Sequence, residues 1–192
     1  MRINSPAKVK IMNGFTSLMQ ERTLSGIKVI DIIKESGVSH QTFYRTFLDK
    51  YDLAEKACAS KLELIYSVVG KNPTWRDAAM CTLNVIANDG TFFANILSEP
   101  EGIEAMKAAM LSVDTEYLGI KPGDMIANAW LHNLVNWSEE GFETPADVIC
   151  DKILRSLPVE EIVEEIDIDP YLSAYQKIRV TEFKNRGKYE EV

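Results

Sequence analysis

Apolar residues recur at three- and four-residue intervals along most of this chain, and they rarely alternate with polar residues. An α-helix turns once in about 3.6 residues, so this spacing collects apolar side chains on one helix face, whereas a half-buried strand requires alternation. Ser5-Pro6 is typical of a helix start and Gly37 of a helix end. The sequence therefore predicts an all-α fold.

Three helices are predicted before residue 50. The first follows Ser5-Pro6, Ser25 is expected to cap the second, and Ser39 is expected to cap the third, which has about two turns. Gly37 lies between the second and third helices, and two short helices joined by a tight glycine-containing turn form a helix-turn-helix unit.

The third helix is expected to bury Phe43 and Phe47 and to expose a polar face. The residues predicted on this face are His40, Gln41, Thr42, Arg45 and Thr46. Taken alone, the pattern fits equally well a group of three packed helices with a polar surface.

Charge is unevenly distributed along the chain. The formal net charge is -8, yet residues 1–61 contain ten Lys or Arg and six Asp or Glu, a net charge of +4, and residues 62–192 carry -12. This distribution indicates that only the basic N-terminal part binds a polyanion, although runs of charged residues are usually no more than solvent-exposed surface.

Several classes of protein are disfavoured. The first residues lack the apolar stretch of a signal peptide and no run of about 18 apolar residues is present, so we expect a cytoplasmic protein without membrane contact. Cys58, Cys81 and Cys150 have neither zinc nor disulfide spacing, and we expect them to be small core residues. No metal-ligand spacing, nucleophile motif or phosphate-binding glycine loop is present, so neither a cofactor nor an enzyme is expected.

Residues 36–53 resemble the DNA-binding region of the TetR (tetracycline-repressor-like) family of bacterial transcription regulators. The resemblance is carried by SGVS at 36–39, FYRTF at 43–47 and DKYDL at 49–53, which follow an apolar first helix in the family's order and spacing. It implies a helix-turn-helix DNA-binding domain at residues 1–50, joined to a larger helical ligand-binding and dimerisation domain at 51–157. An acidic C-terminal extension with a final helix is expected at 158–192.

The resemblance also implies a homodimer that inserts the third helix of each subunit into the major groove at one half of a palindromic operator. Tyr44, Lys50 and the start of the third helix at Ser39 are then expected to contact phosphates. The candidates for base contacts are His40, Gln41, Thr42 and Arg45.

Alternative roles remain open for three of these residues. Tyr44 is also suited to be a half-buried aromatic residue that holds the fourth helix, and it can do both. Lys50 is also suited to be a plain surface lysine, and His40 to lie in solvent at a helix start.

Two features depart from the family pattern. Ile27 and Lys28 stand where the family usually has threonines at the start of the second helix, so a hydroxyl group that would bind phosphate is missing and Lys28 is the candidate replacement. Ile33 stands where helix-turn-helix units prefer a small residue, and it is a candidate for widening the crossing of the helices.

The larger predicted domain matches the family in arrangement rather than in residues. The helix predicted at 124–137 is apolar on more than one side, which suits a helix between a pocket and a partner. His132 on this helix is expected to be structural. The candidate ligand-binding residues, each of a type that is more often core, are Phe92, Phe93, Met106, Met110, Trp130 and Asn133.

Residues 134–158 resemble the two C-terminal helices with which many family members build a four-helix bundle between subunits. Ile149, Ile153 and Leu157 recur at helical spacing and would form one seam. The candidate dimer-interface residues are Leu134, Ile149, Ile153 and Leu157.

Two functional hypotheses follow. The favoured one is a ligand-responsive dimeric transcriptional regulator, a repressor that binds a double-stranded DNA operator and is released by a small-molecule effector. The alternative is a helical small-molecule-binding or protein-interaction module that has lost DNA binding, which Ile33, the missing threonines and the acidic net charge favour.

Overall fold

The computed structural model describes residues 5–68, 75–118 and 124–156. All regular elements in these ranges are α-helices, which confirms the predicted fold class. The predicted final helix of residues 158–192 lies outside the described residues. In chain order the helices are α1 (Pro6–Met19), α2 (Val29–Ser36), α3 (His40–Thr46), α4 (Lys50–Val68), α5 (Trp75–Asn88), α6 (Gly90–Leu97), α7 (Pro100–Leu118), α8 (Asp124–Glu139) and α9 (Ala146–Ser156).

Short polar side chains begin three of the first four helices. The Ser5 hydroxyl accepts a hydrogen bond from the Lys8 amide at 3.2 Å, and the Ser39 hydroxyl accepts one from the Thr42 amide at 3.1 Å. At α4 the Asp49 carboxylate accepts bonds from two backbone amides of the first turn, at 2.8 and 2.9 Å. These bonds satisfy amides that have no partner within their helix.

The predicted cap of α2 is wrong. This helix begins at Val29 and not near Ser25, and Lys28 occupies the N-cap position. The Asp31 carboxylate accepts a hydrogen bond from the Lys28 amide at 3.0 Å, so an acidic residue one turn into the helix fixes its start. Ser25 instead bonds to Glu99, 74 residues further along the chain.

The turn between α2 and α3 depends on Gly37. This residue has φ of 64°, a left-handed conformation that favours glycine, and its amide donates to the Lys34 carbonyl at 3.3 Å. Val38 then packs against the core and Ser39 starts α3. The helix-turn-helix arrangement predicted for this stretch is confirmed.

The core runs from the N-terminal helices into the rest of the chain. Ile11 and Phe15 of α1 are fully buried, and the Phe15 ring meets the Phe92 ring of α6 edge to face, with centroids 6.3 Å apart. α4 packs along α7, α6 contacts α1, α7 and α8, and α9 packs against α5 and α8. Burial raises the pKa of the Cys58 thiol to about 12, as expected for a core cysteine.

The crossing of α1 and α2 has its small residue on α1. Ile33 of α2 is buried, and at Gly14 an added Cβ atom would lie 3.0 Å from the backbone nitrogen of Ser36. The glycine therefore permits a close approach of the two helices even though Ile33 is large.

A second close approach occurs between α6 and α7, where Gly102 lies against the backbone of Ile96. A Cβ atom at Gly102 would overlap the carbonyl oxygen of Ile96. Because a backbone atom cannot move aside cheaply, we expect Gly102→Ala to lower the free energy of unfolding by about 2 kcal/mol in urea denaturation.

Gly26→Ala is the matched control, since its Cβ atom would come no closer than 3.4 Å to the nearest atom, the Thr23 carbonyl oxygen. This variant should keep or slightly raise stability, by up to about 1 kcal/mol. Equal stability of the two variants would contradict the close approach at Gly102.

Candidate nucleic-acid interface

α3 has one buried face and one exposed face. Phe43 and Phe47 are buried and hold the helix against the core. Thr42 is half-buried, whereas the other candidate side chains of this region are exposed: Ser39, His40, Gln41, Tyr44 and Arg45. The helix thus presents most of the predicted DNA-binding residues to solvent.

The side chains of Gln41 and Arg45 have no hydrogen-bond or ion-pair partner among the described residues. Their donors and acceptors are therefore available to an external group. Thr42 differs, because its hydroxyl lies 2.9 Å from the Ser39 hydroxyl, and its carbonyl accepts a bond from the Thr46 hydroxyl. Ser39 and Thr42 thus form part of the start of α3.

Tyr44 is 48% exposed and lies within a group of rings on its own helix. Its ring centroid is 4.7 Å from that of His40 and 5.2 Å from that of Phe43. Its hydroxyl makes no hydrogen bond within the described parts of the chain. Packing thus fixes the ring while the hydroxyl stays free to donate.

Lys50 does not behave as a plain surface lysine. Its ammonium group donates to the Leu24 carbonyl at 2.8 Å and to the Ile27 carbonyl at 3.0 Å. An ammonium group has three N–H donors, so one remains for another acceptor. Both carbonyls belong to residues 20–28, the α1–α2 loop, and Lys50 therefore ties the start of α4 to this loop.

Lys28, the other cation predicted near the DNA, is exposed at the start of α2. Its backbone is held by Asp31. The side chain has no ion-pair partner among the residues described here.

Glu99, which lies between α6 and α7, also binds the α1–α2 loop. One carboxylate oxygen accepts from the Ser25 amide at 2.7 Å and the other accepts from the Ser25 hydroxyl at 2.5 Å. Burial disfavours the ionised carboxylate, but hydrogen bonds from Ser25 and Thr23 and the positive charge of Lys50 outweigh it, so the pKa of Glu99 is lowered.

Two further polar contacts join α6 and the residue before it to the end of α1 and the residue after it. The Asn95 side chain donates to the Met19 carbonyl at 2.8 Å. Asp89 accepts from Gln20 at 2.8 Å and pairs with Lys61 of α4. These residues were not predicted to be functional, because contacts between positions about 70 apart leave no spacing pattern in one sequence.

The candidate ligand-binding residues fall into two groups. Phe92, Phe93, Met106 and Met110 are buried in the common core, along with Trp130. Asn133 differs, since its amide donates to the Ala129 carbonyl at 2.8 Å and to the Ser156 hydroxyl at 3.3 Å, which places it between α8 and α9. The structure therefore brings five of the six residues into one core and leaves Asn133 apart.

Three of the four predicted dimer-interface residues are not on the surface of the described structure. Leu134, Ile149 and Ile153 are 0%, 2% and 0% exposed within a single chain, because α8 and α9 pack these side chains into the chain's own core. They are thus unavailable to a partner, and Leu157 lies outside the described residues. The exposed positions of these helices include His132, whose ring nitrogen lies 3.2 Å from the Asn136 amide, and Val148.

Comparison with solved structures identifies the fold. A TetR transcriptional regulator from Streptococcus agalactiae 2603V superposes with a TM-score of 0.58 at 20% sequence identity, covering 82% of this chain and 97% of that chain. The chain has the TetR fold. The fold implied by residues 36–53 is thereby confirmed. No protein-family model matches the chain, and no curated protein matches it.

Two other structures with TetR descriptions align less closely. The TetR family repressor AlkX from Dietzia sp. strain DQ12-45-1b, implicated in biodegradation of n-alkanes, has a TM-score of 0.45 and 16% identity over 78% of this chain and 97% of that chain. A TetR-family regulator from Streptomyces coelicolor has a TM-score of 0.46 and 13% identity over 88% and 89%.

Two features are absent from the described parts of this TetR fold. No helix in these ranges combines the length and apolar character of a membrane span. Within the same ranges, no three His, Cys, Asp or Glu side chains are grouped as metal ligands.

The contacts of Lys50 generate a stability prediction. Lys50→Met keeps the aliphatic stem but leaves the Leu24 and Ile27 carbonyls without their charged donor. We expect the free energy of unfolding to fall by about 1 to 3 kcal/mol in thermal unfolding followed by calorimetry.

Lys34→Met is the matched control, because this exposed lysine has no side-chain partner among the described residues. It should change stability by less than about 0.5 kcal/mol. A Lys50→Met variant as stable as this control would show that the two carbonyl bonds contribute nothing.

Proposed function

We propose that the protein is a DNA-binding transcriptional regulator in which α3 enters the major groove. The observation that carries the proposal is the exposed, unpartnered pair Gln41 and Arg45 on α3, within the described residues. They lie on the second helix of a helix-turn-helix unit within a TetR fold. An α-helix fits the major groove of B-DNA, where base edges differ between the four base pairs.

The chemistry of these two side chains suits base edges. The Gln41 amide has both a donor and an acceptor and matches adenine, whereas the Arg45 guanidinium has paired donors that match guanine. His40 lies one turn before Tyr44 on the same exposed face and is a further base candidate. Ser39 and Thr42 contribute by fixing the start of α3, because their hydroxyls already contact each other.

Phosphate contacts are proposed for three groups around α3. The Tyr44 hydroxyl is unpartnered among the described residues and its ring is held in place. Lys28 is exposed at the start of α2, and Lys50 retains one N–H donor. Such contacts position a protein on the duplex, and base contacts specify the sequence.

We further propose that two chains bind one palindromic operator, with half-sites about one helical turn apart. The interface would use the outward faces of α8 and α9. These faces present His132, Asn136 and Val148, whereas Leu134, Ile149 and Ile153 are buried within the chain.

A small molecule is the proposed effector, and release from the operator makes the protein a repressor. It would bind where α6, α7 and α8 meet, among Phe92, Phe93, Met106, Met110 and Trp130. Methionine side chains adapt to irregular shapes, so this part of the core can rearrange around a bound small molecule. The spacing of the two α3 helices either matches or does not match the half-sites of the operator. The effector can release DNA only if it binds the dimer with the non-matching spacing more tightly than the dimer with the matching one.

Selection from a random DNA pool tests the proposal. Purified protein at moderate salt should enrich a two-fold symmetric motif, read out by sequencing of the bound fraction. Gln41→Ala and Arg45→Ala should each relax the preference at one position of each half-site, by about 1 to 3 kcal/mol for each base pair that is no longer recognised.

Lys10→Ala is the control, since Lys10 is exposed on α1 and its removal should leave the motif unchanged. Uniform weakening on every sequence in the Gln41 and Arg45 variants would mean that these residues contact phosphate only. Recovery no better than the input pool, from folded protein, would overturn the proposal and favour a module that binds ligands or proteins but not DNA.

A further inference from the structure

The α1–α2 loop is held by two oppositely charged side chains that come from different parts of the chain. Lys50 binds the carbonyls of Leu24 and Ile27, and Glu99 binds the amide and hydroxyl of Ser25. The loop therefore lies between the start of α4 and residues 98–99, the α6–α7 turn.

We propose that Glu99 is a positioning residue for DNA binding. Its carboxylate anchors the α1–α2 loop to the α6–α7 turn, and the anchored loop sets the orientation of α2 and α3 relative to the helices behind them. The inference rests on the proposed function, since it assigns a residue remote in sequence from α3 to the binding of DNA by α3.

The geometry of the carboxylate supports this role. Each of the two carboxylate oxygens accepts a bond from Ser25, one from its amide and one from its hydroxyl, which fixes the direction of the Ser25 backbone as well as its distance. Hydrogen bonds to an ionised acceptor are shorter and stronger than those between neutral groups. Ile27, two residues further, is fully buried, so the loop cannot shift at Ser25 without disturbing the core next to α2.

The path from the loop to α3 is short and stiff. α2 starts at Val29 and has 8 residues, and the turn after it is fixed by Gly37 and the Ser39 cap. A change at the loop is therefore transmitted to Gln41 and Arg45 as a movement of the whole unit. Asn95 of α6 fixes the neighbouring end of α1 through the Met19 carbonyl, so the anchors at α6 and at the turn after it act on the same region.

Glu99→Gln and Glu101→Gln form a matched pair that separates positioning from charge. Both variants remove one negative charge near the start of α7, and Glu101 is exposed without a side-chain partner among the described residues. Removal of a negative charge by itself favours binding to a polyanion. The positioning role therefore predicts a change of opposite sign at Glu99.

The measurement uses the full chain and a labelled duplex that carries the motif obtained by selection, with fluorescence anisotropy over a range of salt concentrations. We expect Glu99→Gln to bind about tenfold more weakly, because it loses a charged hydrogen bond that holds the loop. Its salt dependence should equal that of the unaltered protein, since no phosphate contact is removed. Glu101→Gln should bind equally well or slightly more tightly.

Hydrogen exchange of the Ser25 amide without DNA tests the anchor separately. It should be faster in Glu99→Gln than in Glu101→Gln, while amides of the α4 and α7 core keep their rates. If Glu99→Gln does not fold, Ser25→Ala replaces it. That change removes the contacts of the Ser25 hydroxyl with Glu99 and Thr23 but keeps the bond from the Ser25 amide to Glu99, and it should weaken DNA binding by about threefold.

Three results would overturn the inference. The first is Glu99→Gln binding the duplex as tightly as Glu101→Gln, with the unaltered protein bound normally. The second is equal exchange of the Ser25 amide in both variants. The third is an unaltered protein that selects no DNA; this overturns the proposed function itself and removes the basis of the positioning role, even where the exchange data show that the anchor exists.

Discussion

The bonds between the Lys50 ammonium and the carbonyls of Leu24 and Ile27 are the constraint on which the N-terminal part of the structure depends. A loop between two helices leaves carbonyl groups without helical partners, and half-buried carbonyls are costly when they make no hydrogen bond. The ammonium group of Lys50 donates to both carbonyls, and Lys50 is the first residue of α4. The first two helices are thereby joined to the longer helix that packs along α7.

The second consequence of this constraint is electrostatic. A positive charge held beside the α1–α2 loop favours a negative group nearby, and Glu99 supplies one from the α6–α7 turn. Hydrogen bonds and the charge of Lys50 lower the pKa of this half-buried carboxyl group. With the loop fixed from both directions, Phe43 and Phe47 place α3 on the core, and the exposed side chains of α3 remain free for an external partner.

Local signals predicted local structure well. The caps at Ser5 and Ser39 and the left-handed Gly37 lie where the sequence indicates, because each depends on bonds within a few residues. The Ser25 prediction failed for a physical reason: its hydroxyl satisfies the rules for a cap, but a carboxylate 74 residues away binds it instead, and α2 starts at Val29 with Lys28 as its N-cap.

Long-range relations were predicted less well. The spacing of Ile149 and Ile153 correctly indicated an apolar stripe on α9, but periodicity alone does not tell whether a stripe faces the chain's own core or a partner. Likewise, the α8 segment that was predicted to be apolar on several sides buries Trp130, Leu134 and Trp137 and exposes His132. The polar contacts of Asp89, Asn95 and Glu99 with α1 and its following loop had no signal in the sequence.

Hydrogen–deuterium exchange of the full chain, with and without the duplex obtained by selection, tests the central claim most directly. If α3 binds DNA from a loop held by Lys50 and Glu99, the complex should protect amides of residues 39–46 and of the α1–α2 loop, and amides of α5 and α9 should be unchanged. Protection confined to α5 and α9, with residues 39–46 exchanging as in the free protein, would contradict the account.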